Sequence, residues 1–304
     1  MLRIVGFAQH AIRPLATKAA GLRMGHSASG LLFSAGVIGG ANLVGFSITA
    51  GTKTHKITDL TGAGAFVLSA AACAWKSGSF ASGALRPTLL NMAVGLWGVR
   101  LAGYLFQRIL KTGKFRKRLA NFFPEKGEGW LDSGKSMFPA SLAGFWTIQA
   151  MWAWVVSLPV TLANFSPART VPMGVGGWAC AGLFAAGLIM ESVADYQKFQ
   201  FKSDPKNKGK FVDSGLWSIS RHPNYLGELT VWWGILGVAV PALRGPRQLA
   251  IGLASPLFIS LLILYVSGIP MLEEQHDKKY GVDPKYQEWK KNTPMLVPDL
   301  SKFF

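Results

Sequence analysis

Apolar runs close to bilayer length recur seven times along this chain, and that recurrence decides the fold class before any motif is read. They lie at about 29–50, 60–76, 84–106, 138–162, 172–193, 224–241 and 249–270. Crossing hydrocarbon takes about 20 residues of helix, and each backbone amide must be satisfied inside the segment or in a closed barrel. The runs are too long for barrel strands and lack their strict alternation. An all-α fold is therefore expected: a polytopic transmembrane helical bundle of about seven helices. The sixth run is short, which points to tilt or to a start among the headgroups. Half of the 304 residues are hydrophobic and only 15% are charged, against about a quarter charged in soluble domains.

Charge placement supports the same reading. The net charge is +17, but the basic residues gather between the apolar runs and show no zinc-finger or basic-zipper spacing, so nucleic acid is set aside. If the helices alternate, one face carries loops 51–59, 107–137 and 194–223 and the tail after 270. These hold two, eight, six and six of the basic residues, 22 of the 32 in the chain. Such bias orients that face toward cytosol, matrix or stroma. The partners implied are the lipid bilayer and a soluble anion reaching the basic face.

The first 28 residues read as an organellar targeting segment, and 29–304 as one transmembrane domain. Arg3, Arg13, Lys18 and Arg23 are spread among Leu2, Ile4, Val5, Phe7, Ile12 and Leu15, with no acidic residue before Asp59. A secretory signal would instead place a compact apolar core after its basic start. The mitochondrial inner membrane is favoured, with plastid or endoplasmic reticulum membrane as alternatives. Cys73 and Cys180 lie inside apolar runs without a partner motif, so they read as buried hydrophobes. Glu273 and His276 form half of a di-metal motif with no second copy, so no metal is expected.

The chemistry concentrates where the lysine-rich loop meets the sixth run. Arg221, His222, Asn224, Tyr225 and Glu228 fall within two helical turns around Pro223. Proline suits the first turn of a helix, so the loop is expected to become helix there. Asn224 and Glu228 then share a face, while Arg221 and His222 stand at the positive helix end, where an anion meets free amides and a guanidinium. Glu228 lies about one turn inside the membrane and needs a partner or a proton, for which Arg221, Lys198 or a cofactor amide are available. Glu191 and Asp195, also four apart, close the fifth run beside Lys198 and Lys202. The plain alternative for those lysines is a ring of snorkelling side chains.

These residues carry a resemblance. Glu191, Asp195, Gln197 and Lys198, then Lys202, Asn207 to Lys210, Ser214 to Trp217, Ser220 to Glu228 and Trp232 to Gly234 resemble a polytopic membrane family allied to the steroid 5-alpha-reductase C-terminal domain. The likeness extends to Leu96–Leu101, Ser255, Pro256, Glu273, Tyr286, Trp289 and Pro298, covering roughly 57–299. It implies a membrane reductase that holds NADPH at its basic face and delivers hydride to a lipid-like enone entering between helices. By that likeness Asn224 meets the nicotinamide amide, while Arg221, Lys210 and Lys202 meet phosphates, with His222 beside them. Asp195 and Tyr225 line the nucleotide cleft, and Glu228 orients the ring or a donor. Tyr104 supplies the phenol that polarises the substrate carbonyl; the early-helix carboxylate of steroid reductases has no counterpart, because Asp59 is the only acid before Glu125.

Two other readings stay open. The Arg-His-Pro-x-Tyr-x-Gly core also occurs in isoprenylcysteine carboxyl methyltransferases, which use S-adenosylmethionine. A non-catalytic subunit of a larger membrane complex, keeping the fold and a bound nucleotide or lipid, is the third.

Overall fold

The computed structural model describes residues 2–55, 57–112 and 138–298, all helix and connecting turns among these. In chain order the α-helices are α1 (Leu2–Thr52), α2 (Thr58–Ser77), α3 (Leu85–Thr112), α4 (Ala140–Asn164), α5 (Val175–Ser203), α6 (Leu216–Ile219), α7 (Pro223–Ala239), α8 (Gly245–Leu261), α9 (Ile269–Tyr280) and α10 (Pro284–Asn292). The basic stretch 113–137 lies outside the described residues.

Five helical stretches are long and apolar enough to cross a membrane: His26–Thr52, Ala140–Asn164, Val175–Ser203, Pro223–Ala242 and Gly245–Tyr280. Of the seven expected spans, five are matched on length and composition among the described residues, and the count of about seven is not confirmed. The runs at 60–76 and 84–106 do form helices, α2 and α3. However, α2 is rich in Gly, Ala, Ser and Thr, and α3 carries Arg86, Asn91 and Arg100. Their polar groups face inward: Arg86, Asn91 and Ser69 are buried. The first 28 residues, expected as a targeting segment, and the first apolar run lie on one continuous helix, α1.

The core centres on aromatics from α2, α3, α4 and α7 packed edge to face. Phe66 meets Trp97 at 5.1 Å and Trp152 at 5.0 Å between ring centroids, and Trp97 meets Trp232 at 5.0 Å. At the end away from the basic loops, buried polar groups are satisfied across helices. Asn91 and Asn164 exchange amide hydrogen bonds at 2.9 and 3.0 Å. Arg86 donates to the carbonyls of Val238 (2.5 Å) and Pro172 (2.7 Å).

Closest backbone approach occurs between α5 and α7, and this positions the functional residues. A Cβ added at Gly227 would lie 2.7 Å from the Glu191 amide nitrogen, and one at Gly187 would lie 2.8 Å from the Gly227 carbonyl oxygen. Only glycine permits such contact between helices. The contact places the 191–195 turn of α5 beside the 224–228 turn of α7.

Beyond Val266 the last span breaks at Ser267–Gly268, and α9 and α10 fold back over the loop between α5 and α7. Arg221 N donates to Pro294 O (2.9 Å), Ser220 Oγ to Leu296 O (2.7 Å) and Trp289 Nε1 to Trp217 O (2.9 Å). The inner end of α5, the start of α7 and the tail therefore share one face, as alternation of the spans requires.

Candidate functional site

Two polar clusters meet at the inner ends of α3, α5 and α7. The first is organised by Arg100, the guanidinium inside α3. Its Nη1 donates to Glu191 Oε1 at 2.5 Å, and its Nη2 donates to Asp195 Oδ2. Glu191 and Asp195 are buried, and such depth requires a paired cation. Asn224 Nδ2 reaches Asp195 Oδ1 at 3.4 Å, tying α7 to the same carboxylate. Trp232 Nε1 donates to Glu228 Oε1 at 3.0 Å. Glu191 and Glu228 face each other carboxyl to carboxyl, and no donor reaches Glu191 Oε2 among the described residues. A donor is what that buried oxygen lacks.

Of the partners expected for Glu228, Arg221 is engaged elsewhere. Arg221 turns to the second cluster, built on Glu273 of α9, and Trp232 with Glu191 takes its place. Glu273 accepts from Arg221 Nη1 at 2.5 Å and bonds His222 Nε2 at 2.7 Å, with Lys290 Nζ at 3.3 Å. His222 is 1% exposed and stacks on Tyr225 at 5.8 Å between centroids. Burial pulls its pKa below the ordinary value of 6.5 despite the opposing Glu273 hydrogen bond, so the imidazole is neutral at neutral pH. Pro223 opens α7, as the sequence suggests.

Three polar atoms at this helix start are buried and have no partner among the described residues: Arg221 Nε, His222 Nδ1 and Asn224 Oδ1. Each such atom costs roughly 1–3 kcal/mol if left unsatisfied. With His222 Nε2 donating to Glu273, these are one donor and two acceptors within four residues, which suit a ligand carrying both kinds of group, such as a carboxamide or a protonated phosphate.

Along α5 the residues Glu191, Asp195, Lys198 and Lys202 recur at helical spacing, forming one stripe. It passes from acid at membrane depth to base at the loop over about 16 Å, at 1.5 Å per residue. At its basic end Lys202 Nζ donates to Lys210 O (2.6 Å) and Tyr280 Oη (3.2 Å). Lys198 Nζ stands 4.7 Å from the Trp217 ring centroid. A small cleft of about 20 Å³ lies between Lys198, Lys202, His276 and aromatic walls from Trp217 and Trp289. The Lys210 side chain is exposed, and Tyr104 lies half-buried one turn beyond Arg100 on α3.

Toward the opposite end, α3, α5 and α7 enclose an apolar groove of about 330 Å³, lined by Leu89, Met92, Leu96, Phe184, Ile235 and their neighbours. By spacing, the lining residues share helical rows with the first cluster: Leu89, Ala93 and Leu96 with Arg100, Ala181 and Phe184 with Glu191, and Ile235 with Glu228. Phe184 lies two turns before Glu191 and Ile235 two turns after Glu228, about 10 Å along each helix.

Sequence reasoning missed Arg100 and Glu273 as site residues. An arginine inside Leu96–Phe106 was itself a signal, since an intramembrane cation must find a counter-charge. Glu273, read as half of a metal motif, is engaged with Arg221 and His222 instead.

Comparison with known proteins places this geometry in context. The family described as Protein of unknown function (DUF1295) matches residues 45–293. A protein named Probable O-methyltransferase ustE, from Ustilaginoidea virens, is 44% identical over 57 residues. That match covers 19% of this chain and 20% of the relative. No solved structure matches.

Proposed function

The chain belongs to the DUF1295 family, and from that premise we propose that it is a membrane-embedded, NADPH-dependent reductase of a conjugated double bond in a lipid-like carbonyl compound. The observation that carries this reading is the α5 stripe, acid to lysine over about 16 Å, running beside the unsatisfied atoms of Arg221, His222 and Asn224. A dinucleotide has the matching layout, with a carboxamide-bearing ring at one end and phosphates further along. The resemblance to the steroid 5-alpha-reductase C-terminal domain supports the same cofactor.

The residues present fit that group. Asn224 Oδ1 is available to accept from a carboxamide, with Asp195 hydrogen-bonded to Asn224 Nδ2 and Tyr225 stacked on His222 beside it. Lys198, Lys202, Lys210 and Arg221 supply cations for phosphates, by charge and by charge-assisted hydrogen bonds. When bound, NADPH supplies the hydride.

The chain's own part is to hold the carbonyl and manage a proton. An apolar substrate lies along the groove of α3, α5 and α7, with its polar end at Arg100, Glu191 and Glu228. A proton shared by the Glu191–Glu228 pair hydrogen-bonds the carbonyl oxygen, and Tyr104 is placed one turn away as a second donor. Such donors stabilise negative charge that builds on oxygen as the double bond is reduced. Glu191 thereby fills the role for which no early-helix carboxylate exists. Arg100 fixes Glu191 and Asp195 in position, and the aromatic core excludes water from below. The acid-free, basic first 28 residues support import to the mitochondrial inner membrane.

One observation favours a second reading, methyl transfer from S-adenosylmethionine. The relative that matches over 57 residues is named an O-methyltransferase, and three carboxyl groups around a single guanidinium suit a sulfonium cation. Titration of purified protein with NADPH and with S-adenosylmethionine separates the two. Saturable NADPH binding plus enone-dependent NADPH oxidation supports the reductase. S-adenosylmethionine binding alone overturns it, and NADPH binding without oxidation indicates a non-catalytic subunit.

A further inference from the structure

Glu273 plays no part in the scheme above, yet it holds the cationic side of the α7 entrance. One carboxylate bonds Arg221 Nη1 (2.5 Å) and His222 Nε2 (2.7 Å), while Lys290 Nζ lies 3.3 Å away. Its side chain is only 17% exposed. Arg221 is thus paired, although its Nε is buried and lacks a partner among the described residues.

We propose that Glu273 is a built-in competitor for the ligand's anionic group and so sets the charge a ligand must bring to the entrance of α7. This rests on the reading above only in taking that entrance as an anion site. The carboxylate already stands where a phosphate oxygen would meet Arg221, so binding requires its displacement. Lys290 provides the receiving cation: it contacts the same Glu273 oxygen from α10 and is held by Asp277 at 2.5 and 2.7 Å. Glu273 released from Arg221 therefore stays paired, which keeps the exchange from stranding a buried charge. A doubly charged phosphate group competes well with a carboxylate for a guanidinium, whereas a singly charged carboxylate or neutral headgroup does not. Selection by ligand charge follows, through a repulsive element built into the site.

A merely structural ion pair behaves differently, because removing its acid strands Arg221 without helping any ligand. The test uses full-length protein in nanodiscs, with inorganic pyrophosphate and NADPH as separate probes by calorimetry. Glu273→Gln keeps the shape and removes the charge. It should bind pyrophosphate about fivefold more tightly than wild type, and the gain should vanish when Arg221→Ala is added. Unchanged or weaker pyrophosphate binding in Glu273→Gln, or a gain that survives Arg221→Ala, overturns the proposal whatever NADPH does. If pyrophosphate follows the expected pattern while NADPH binds neither protein, the reductase reading falls and the competitor role stands.

Discussion

Arg100 on α3 donates one guanidinium nitrogen to Glu191 on α5, 91 residues further along the chain, at 2.5 Å. The other terminal nitrogen reaches Asp195 one turn away. One cation thus fixes both acids of the α5 stripe at the depth where the apolar groove ends, and the proposed substrate site depends on that anchor.

Arg100→Leu should be the most damaging single change in the bundle. It leaves Glu191 and Asp195 buried without their cation, a loss of about 3–5 kcal/mol for a broken buried pair. Thermal unfolding in detergent should shift strongly downward, with Arg100→Lys in between because a lysine cannot serve both acids with a planar fork. A melting temperature unchanged in Arg100→Leu would remove the anchor from the account.

Gly227→Ala tests the helix contact rather than the charges. The new methyl would stand 2.7 Å from the Glu191 amide nitrogen, so α5 and α7 must separate. Overpacking of this kind costs about 1–3 kcal/mol. Turnover should fall further than stability, because Asn224 and Asp195 meet only at 3.4 Å already. Equal losses would indicate a purely structural contact.

Filling the groove should separate substrate from cofactor. Ala181→Trp occupies space between α3 and α5 about 15 Å along the helix from Glu191. The KM for a long-tailed apolar enone should rise about tenfold while NADPH affinity stays constant, since pocket volume discriminates on this scale. Loss of both would place the groove outside the substrate path.

The pH dependence follows from His222. Burial holds its pKa below 6.5, so the unfolded chain takes up a proton at higher pH than the native protein does. As pH falls below 6.5, protonation favours the unfolded state, and stability drops until the folded value is passed. Wild-type protein should lose more stability than His222→Gln between neutral and mildly acidic pH. Parallel curves for the two proteins would show that His222 carries no such linkage.

The membrane class was legible because hydrophobic length is a local property of the sequence. The start of α7 at Pro223 was legible for the same reason, proline's missing donor being tolerated only in the first turn. At α2 and α3 the helices form where the sequence places them, but small and polar residues such as Gly62, Ser69, Arg86 and Asn91 lower their apolar character below that of the other five stretches. The site was legible as a set of residues on α5 and α7 but not as a set of partners. Arg221 reads as Glu228's neighbour along the chain, yet it bonds Glu273, 52 residues away. Glu228 turns instead to Trp232, on the next turn of its own helix. Pairing of this kind is decided by how helices fold back on each other, which spacing within one helix does not encode.

The account's central claim is that a phosphate-bearing nucleotide docks at the start of α7 through Arg221 and Asn224. Calorimetric titration of NADPH into wild type and Asn224→Ala, both verified as folded by thermal unfolding, tests it most directly. The account predicts saturable binding to wild type and at least a tenfold loss in the variant, about 1.4 kcal/mol. Equal affinity in the two proteins, or no binding to wild type, would contradict it.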